Sequence, residues 1–284
     1  MTHAHRSPAK MLLCNDDRQA ILESETALLE ESGFIISDLT RPTSARISPY
    51  GLPMGEHCVS SALRAHASSS LFLCDASLAE FDRIAHTTSF PEGAVLFLEG
   101  QSPQGVYILC QGRVKLMTTS RDGKTIITRI VPPGETLGLQ SVVTGKPYEL
   151  TVQTLQPSQL AFINGAQFLR FIKEDVDVCL YVAQQLGREC QSAYEVIRSI
   201  GLSHSVSEKL ARLLLQWSGD GPFTDDSIGF KISLTHEEIA QLIGTTRETV
   251  TRTLGELKKR RVLEVTGSTL LIRNRAALQA LVDH

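Results

Sequence analysis

Several things are scarce in this chain of 284 residues. Aromatics are only 6% of it, with a single tryptophan. No apolar run approaches the ~20 residues that a membrane-spanning helix needs. The opening MTHAHRSPAK lacks the apolar segment of a secretory leader. These absences point to a cytoplasmic protein without a membrane partner. Six cysteines at this length are too sparse for a disulfide scaffold, so reduced thiols are the default expectation. There is no G-x-S-x-G, no phosphate loop and no H-E-x-x-H. Residues 71–165 contain one histidine, His86. A metal-dependent enzyme built inside a β-barrel needs several histidines and a carboxylate, so that class fails on inventory. No enzyme is expected.

What is present is ordinary in bulk and unusual in distribution. Hydrophobic residues make up 42% and charged residues 21%, as in a globular protein long enough for two domains and an extension. The net charge is -3, yet residues 245–275 carry eight basic and three acidic side chains. That surplus of five positive charges leaves eight negative charges for the rest of the chain. A local basic patch on an acidic body is the electrostatic footprint of a protein that contacts phosphates without binding DNA indiscriminately.

The patch falls on a stretch with its own local logic, LTHEEIAQLIGTTRETVTRTLGELKKRRVLEV, residues 234–265. Thr235 and Glu238 have capping-box spacing, which starts a helix with Ile239, Leu242 and Ile243 on one face. Gly244 supplies a turn. Thr246 caps a second helix with apolar Val250, Leu254 and Leu257, leaving Arg247, Glu248, Thr251 and Arg252 outward. This is the plan of a helix-turn-helix. Arg247 and Arg252 can each pair with guanine O6 and N7, and Glu248 can accept from cytosine N4. Thr235, His236, Thr246, Lys258 and Lys259 are phosphate candidates, which position the protein without reading sequence. Downstream, VLEVTGSTLLIRN reads as two strands around residues 266–268, a wing. Upstream, Ser203 and Ser205 cap a helix running to Trp217, and FKISL is a strand, giving a winged helix-turn-helix over residues 203–284.

The segment IAQLIGTTRETVTRTLGELKKRRVLEV resembles the DNA-binding motif of the Crp/Fnr family of bacterial transcription regulators. The match runs through I-G-x-[ST]-R-E-T-V-x-R to Val262 and Leu263. The resemblance implies a homodimer that reads a palindromic TGTGA-type site and works with RNA polymerase on double-stranded DNA. Residues 71–165 are similar to the effector domain of the same family. The carriers are Pro91-Glu92-Gly93, the FLEGQ turn, Gly105 to Ile108, Gly112-Arg113-Val114 and Pro133-Gly134-Glu135. After a helix expected over Leu71 to Ala85, with Asp75 and Ser77 as caps, short strands with glycine turns follow. Asp122-Gly123 is the strongest hairpin signal among them. The expected fold class is α+β: an antiparallel, jelly-roll-like β-roll, a long dimerisation helix and a C-terminal winged helix-turn-helix.

In family members that bind cyclic AMP, a glutamate in G-E-x-G holds the ribose and an arginine in a later R-[ST] pair holds the phosphate. Here Gly138 is followed by Leu139, and the later positions read Lys146-Pro147-Tyr148-Glu149-Leu150. Gly138, Leu139, Tyr148 and Glu149 mark the pocket region. A buried Glu149 would repel a phosphate, and Lys146 is the nearest cation, so cyclic AMP is not expected. An iron-sulfur cluster like that of the oxygen-responsive branch needs four thiolates. Cys58 and Cys74 are sixteen residues apart with no C-x2-C between them, and Ala161 stands where that branch has a cysteine. No cofactor is therefore expected. Cys110 is read as a small buried apolar residue. Gating by an unidentified effector and constitutive action both stay open, and the alternatives are a redox-responsive Fnr-like regulator and a protein-docking module with a weak DNA-binding domain. The second predicts no salt-dependent DNA affinity.

Residues 166–202 have no proline, and Cys179, Ala183, Leu186, Cys190, Ala193 and Ile197 recur at alternating steps of four and three. That is an a/d seam, and its small residues suit close approach of two helices in a homodimer. The competing reading is a helix packed on its own barrel. A Cys190 to Cys190 bridge stays open. Residues 1–70 form an extension with linker. Its MLLCNDD-helix-GF opening resembles the first strand-helix-strand of a receiver domain, with Asp16 and Asp17 at the acidic pair. No phosphoacceptor strand follows, so a remnant or docking arm is expected.

Overall fold

A computed structural model describes residues 46–55, 57–65, 73–202, 205–218, 228–231, 234–266 and 269–283. The receiver-like stretch with Asp16 and Asp17, and Ser203, lie outside them. The centre of the fold is two four-stranded antiparallel sheets. One has the order β3 (His86–Phe90), β10 (Ser158–Asn164), β5 (Gly105–Gln111), β8 (Thr136–Leu137). The other runs β4 (Val95–Phe97), β9 (Thr151–Thr154), β6 (Val114–Thr119), β7 (Thr125–Val131). A short pair, β1 (Arg46–Ile47) and β2 (Pro53–Met54), precedes them.

The period-2 alternation of β5 shows why the sheets face each other. Leu109 points into the roll with Phe97, Val114, Val131, Tyr148 and Leu160. Val106, Ile108 and Cys110 point outward and are covered by helices α1 (Cys58–Ala65), α2 (Asp75–Ile84), α3 (Leu139–Thr144), α4 (Gly165–Glu174) and α5 (Val176–Leu202). The Asp122-Gly123 turn joins β6 to β7 as expected, with Thr119 opposite Thr125 and Gly123 at φ 84°. Gly105 opens β5 where the chain touches β10. A Cβ there would overlap the Ile163 carbonyl and the Phe162 ring. Gly105→Ala is expected to cost about 3 kcal/mol, as overpacking in a closed site does. Chemical denaturation checks this.

Three expectations need correction. Helix α2 starts at Asp75, and neither Asp75 nor Ser77 caps it. Asp75 pairs with Arg64 at 2.6 Å, and Ser77 donates to Asp175 Oδ2 at 2.6 Å. The helix expected over 166–202 is two helices, broken at Asp175. Asp175 Oδ1 accepts from the N–H groups of Asp177 and Val178 at 2.9 and 3.2 Å. It thereby satisfies the first turn of α5 as a capping side chain does. Cys110 is buried but not a free thiol. It forms a disulfide with Cys58, tying α1 to β5 across a Cα separation of 5.8 Å.

Beyond α5 come α6 (Val206–Ser218), β11 (Ile228–Lys231), α7 (His236–Ile243), α8 (Arg247–Lys259), β12 (Leu263–Thr266), β13 (Thr269–Ile272) and α9 (Arg275–Val282). Ser205 caps α6 by accepting from Glu208 N at 3.1 Å. The strands form one sheet with the order β11-β13-β12. Leu210, Leu214, Ile239, Ile243, Val250, Leu254 and Leu257 share a core with Val262, Leu270 and Ile272.

Candidate nucleic-acid interface and roll pocket

Helix α7 begins with both halves of a capping box. Thr235 Oγ1 accepts from Glu238 N at 3.2 Å, and Thr235 N donates to Glu238 Oε2 at 2.9 Å. Gly244 ends it at φ 67°, and Thr246 starts α8 by accepting from Thr249 N at 3.3 Å. Val250, Leu254 and Leu257 then turn inward and are buried. Arg247, Glu248, Thr251, Arg252, Lys258 and Lys259 are exposed on the other side. The two arginines and two lysines make no ion pair among the described residues.

The threonines are more occupied than the sequence suggests. Thr251 Oγ1 donates to the Arg247 carbonyl at 2.9 Å, so its contact with His236 Nδ1, also 2.9 Å, uses the ring N–H as donor. His236 thus braces the start of α7 against the face of α8. Thr235 and Thr246 spend their hydroxyls on caps. The wing loses one charge as well, because Arg273 pairs with Glu264 at 2.8 Å.

Two features escaped the sequence reading. Helix α8 ends in a Schellman motif: Val262 N donates to Leu257 O at 3.0 Å and Arg261 N to Lys258 O at 2.9 Å. Its left-handed residue is Arg261, φ 56°, where glycine is usual. The basic run is therefore held at a fixed bend. The other is Glu238, whose second oxygen accepts from Lys115 Nζ of β6 at 3.0 Å. Burial opposes the charge on Glu238, but the Thr235 N–H and Lys115 hold its carboxyl below the usual value. The first helix of the motif is thus ion-paired to the roll.

Gly138, Leu139, Tyr148 and Glu149 come together as expected, around a cavity of about 70 Å³ inside the roll. Tyr148 is buried in its wall. Its hydroxyl donates to the Gly105 carbonyl at 2.7 Å, and its ring stacks on Phe97 with centroids 3.9 Å apart. Glu149 is not buried, contrary to expectation. It is exposed at the lip, where it accepts from Gln140 at 2.9 Å. Nor is Lys146 the cation of the pocket. Arg129, reaching in from β7, lines it and pairs with Glu135 at 2.8 Å. Burial raises the Glu189 carboxyl pKa, against the pull of Arg129. Behind the cavity, buried Tyr181 of α5 bonds Thr136 Oγ1 at 2.9 Å and Gln185 at 3.0 Å, and burial pushes its phenol pKa up to about 12.

Helix α5 lays Val178, Tyr181, Val182 and Gln185 on the roll. Cys179, Ala183, Cys190, Ala193 and Ile197 face away and are exposed, Ile197 by 64%. Leu186 departs from the expected seam by packing partly against the chain's own core. Exposed Val176, Leu180 and Tyr194 extend the uncovered apolar stripe. Among the described residues, no cluster of metal-ligating side chains occurs and no helix is long and apolar enough to cross a membrane.

A β-roll joined by a long helix to a winged helix-turn-helix defines a DNA-binding transcription regulator. The family model for a cyclic nucleotide-binding domain matches residues 87–175, and that for a Crp-like helix-turn-helix domain matches residues 208–281. The chain belongs to the Crp/Fnr family of transcription regulators. It is 24% identical over 199 residues to the cAMP-activated global transcriptional regulator CRP of Pasteurella multocida, covering 70% of this chain and 95% of that protein. It is 27% identical over 192 residues to the global nitrogen regulator of a Synechocystis strain, covering 67% and 85%. Among solved structures, FixK2 from Bradyrhizobium japonicum superposes with a TM-score of 0.62 at 22% identity, covering 70% of this chain and 97% of that one. The c-di-GMP responsive regulator CLP of Xanthomonas campestris gives 0.61 at 20% identity, covering 70% and 99%. The CRP, nitrogen-regulator and CLP relatives are named as regulators.

Proposed function

We propose that the protein is a cytoplasmic homodimer that binds a palindromic TGTGA-type DNA site and acts on RNA polymerase there. Residues 71–165 would serve as effector domain, α5 within 166–202 as the dimer helix, and 203–284 as the DNA reader. The observation that carries the reading is the outward face of α8, with Arg247, Glu248 and Arg252 above a buried Val250-Leu254-Leu257 floor. Arg247 and Arg252 would read guanine and Glu248 cytosine. Lys258 and Lys259 would meet phosphates, with His236 as a positioner, while Thr235 and Thr246 serve the helix starts through their caps. Thr251 is held within the motif and would contact a base edge mainly through its methyl group. Two copies joined by the stripe of Cys179, Ala183, Cys190, Ala193 and Ile197 would place their α8 helices in successive major grooves about 34 Å apart.

We expect Arg252→Ala to cost about 1–3 kcal/mol on the preferred site and to relax base preference at one position. Selection of bound duplexes from random DNA, with wild type and variant, measures this. An equal loss on every sequence would exclude a base-reading role. The small cavity beside Tyr148 speaks against cyclic AMP as an occupant, since sites for drug-sized ligands span about 300–1,000 Å³. No metal or iron-sulfur cofactor is proposed.

A further inference from the structure

A larger cavity lies outside the roll. It opens between β7, α5 and the DNA-binding domain, and its volume is about 580 Å³. Its floor is apolar, formed by Leu213, Trp217, Leu242 and Val282. These side chains are only half-buried, so the core of the DNA-binding domain is left uncovered at this spot. Its rim is cationic. Arg198 is exposed and unpaired among the described residues, and Lys209, which has a contact of its own, also lines the rim. Arg129 and Arg212 also line the rim, each with its own acidic partner, Glu135 at 2.8 Å and Glu208 at 3.0 Å. Glu195 is the one carboxylate in the lining.

We propose that this cleft is a binding site for a small organic anion with a flat apolar body. An indole and aliphatic floor rewards burial of a planar apolar group, and a guanidinium rim rewards a carboxylate, sulfonate or phosphate by forked, charge-assisted hydrogen bonds. The volume suits an occupant of that size, whereas the 70 Å³ roll cavity does not. The occupant would touch the roll through Ile130, the connecting helix through Val196 and the DNA-binding domain through Trp217 at once. A ligand that contacts three elements favours the arrangement in which all three contacts exist. Arg129 lines both cavities, so the cleft and the roll interior share one wall. The effector role of the anion rests on the proposed DNA-binding function; the site itself does not.

Trp217 is the only tryptophan of the chain, so energy transfer has a single donor, and that donor lines this cleft. The full-length protein is titrated with anilinonaphthalene sulfonate as the aromatic anion and with neutral phenylnaphthylamine as the control. Saturable energy transfer from Trp217 to the sulfonate is expected, with weaker binding of the neutral amine. Arg198→Glu, an exposed substitution, should weaken the sulfonate about tenfold or more, in line with the loss of one charge-assisted contact, while leaving far-UV circular dichroism unchanged. Equal affinity in the Arg198 variant, equal binding of the neutral amine, or absence of transfer from Trp217 overturns the proposal. Affinity for a palindromic duplex is measured in parallel. Failure to bind DNA while the sulfonate still binds sinks the regulatory function and leaves the cleft standing.

Discussion

Ala183→Glu is expected to turn the protein into a folded monomer and to lower its affinity for a palindromic site by a factor of about a hundred to ten thousand. Ala183 is exposed on α5, so the chain itself tolerates a longer side chain there. In a dimer the same position lies between two close helices. Two glutamates would meet without partners, and burying an unpaired carboxylate costs far more than the apolar contact it replaces. The DNA affinity falls because two recognition helices held together gain effective concentration, and that gain is typically a factor of about 10²–10⁴. Sedimentation velocity and titration of a full palindrome against a single half-site check both parts. A variant that remains dimeric, or a wild type that is already monomeric, would remove the seam from the mechanism.

Reduction of the Cys58–Cys110 bond is expected to destabilise the roll by about 4 kcal/mol, from the chain entropy of a loop spanning 52 residues. For a body of this size that corresponds to about 10 °C in melting temperature. A Cys58→Ala/Cys110→Ala double variant should melt near the reduced wild type and lose all response to a dithiol reductant. Thermal melts of both proteins, with and without reductant, decide it. A wild-type melting temperature that ignores reductant would mean the two sulfurs are not bonded in solution. The remaining cysteines within the described residues, Cys74, Cys179 and Cys190, are exposed free thiols, so loss of the response in the double variant assigns it to this pair.

The parts legible in the sequence were those fixed by near neighbours. The capping box at Thr235 and Glu238, the Gly244 turn and the three-four spacing of Val250, Leu254 and Leu257 each need only a few residues of context. The Asp122-Gly123 hairpin is equally local. What stayed hidden depends on distant partners. Cys58 and Cys110 meet only because α1 folds onto the outward face of β5. Asp175 reads as an ordinary helix residue until Ser77, 98 positions away, is seen to orient its carboxylate. Arg129 enters the pocket from across the roll, and Glu149 faces out because Tyr148 beside it takes the inner position. Periodicity did identify the outward stripe of α5, but it could not show that Leu186 turns toward its own roll.

Glu238 serves two partners with two oxygens. One completes the helix cap with Thr235, and the other holds Lys115 of the roll. The cap is internal to the DNA-binding domain and does not use the lysine. Breaking the Lys115 contact therefore leaves the start of α7 hydrogen-bonded, and the helix pair keeps its shape. The Lys115 contact that ties the roll to the DNA-binding domain is therefore separable from the cap that starts α7.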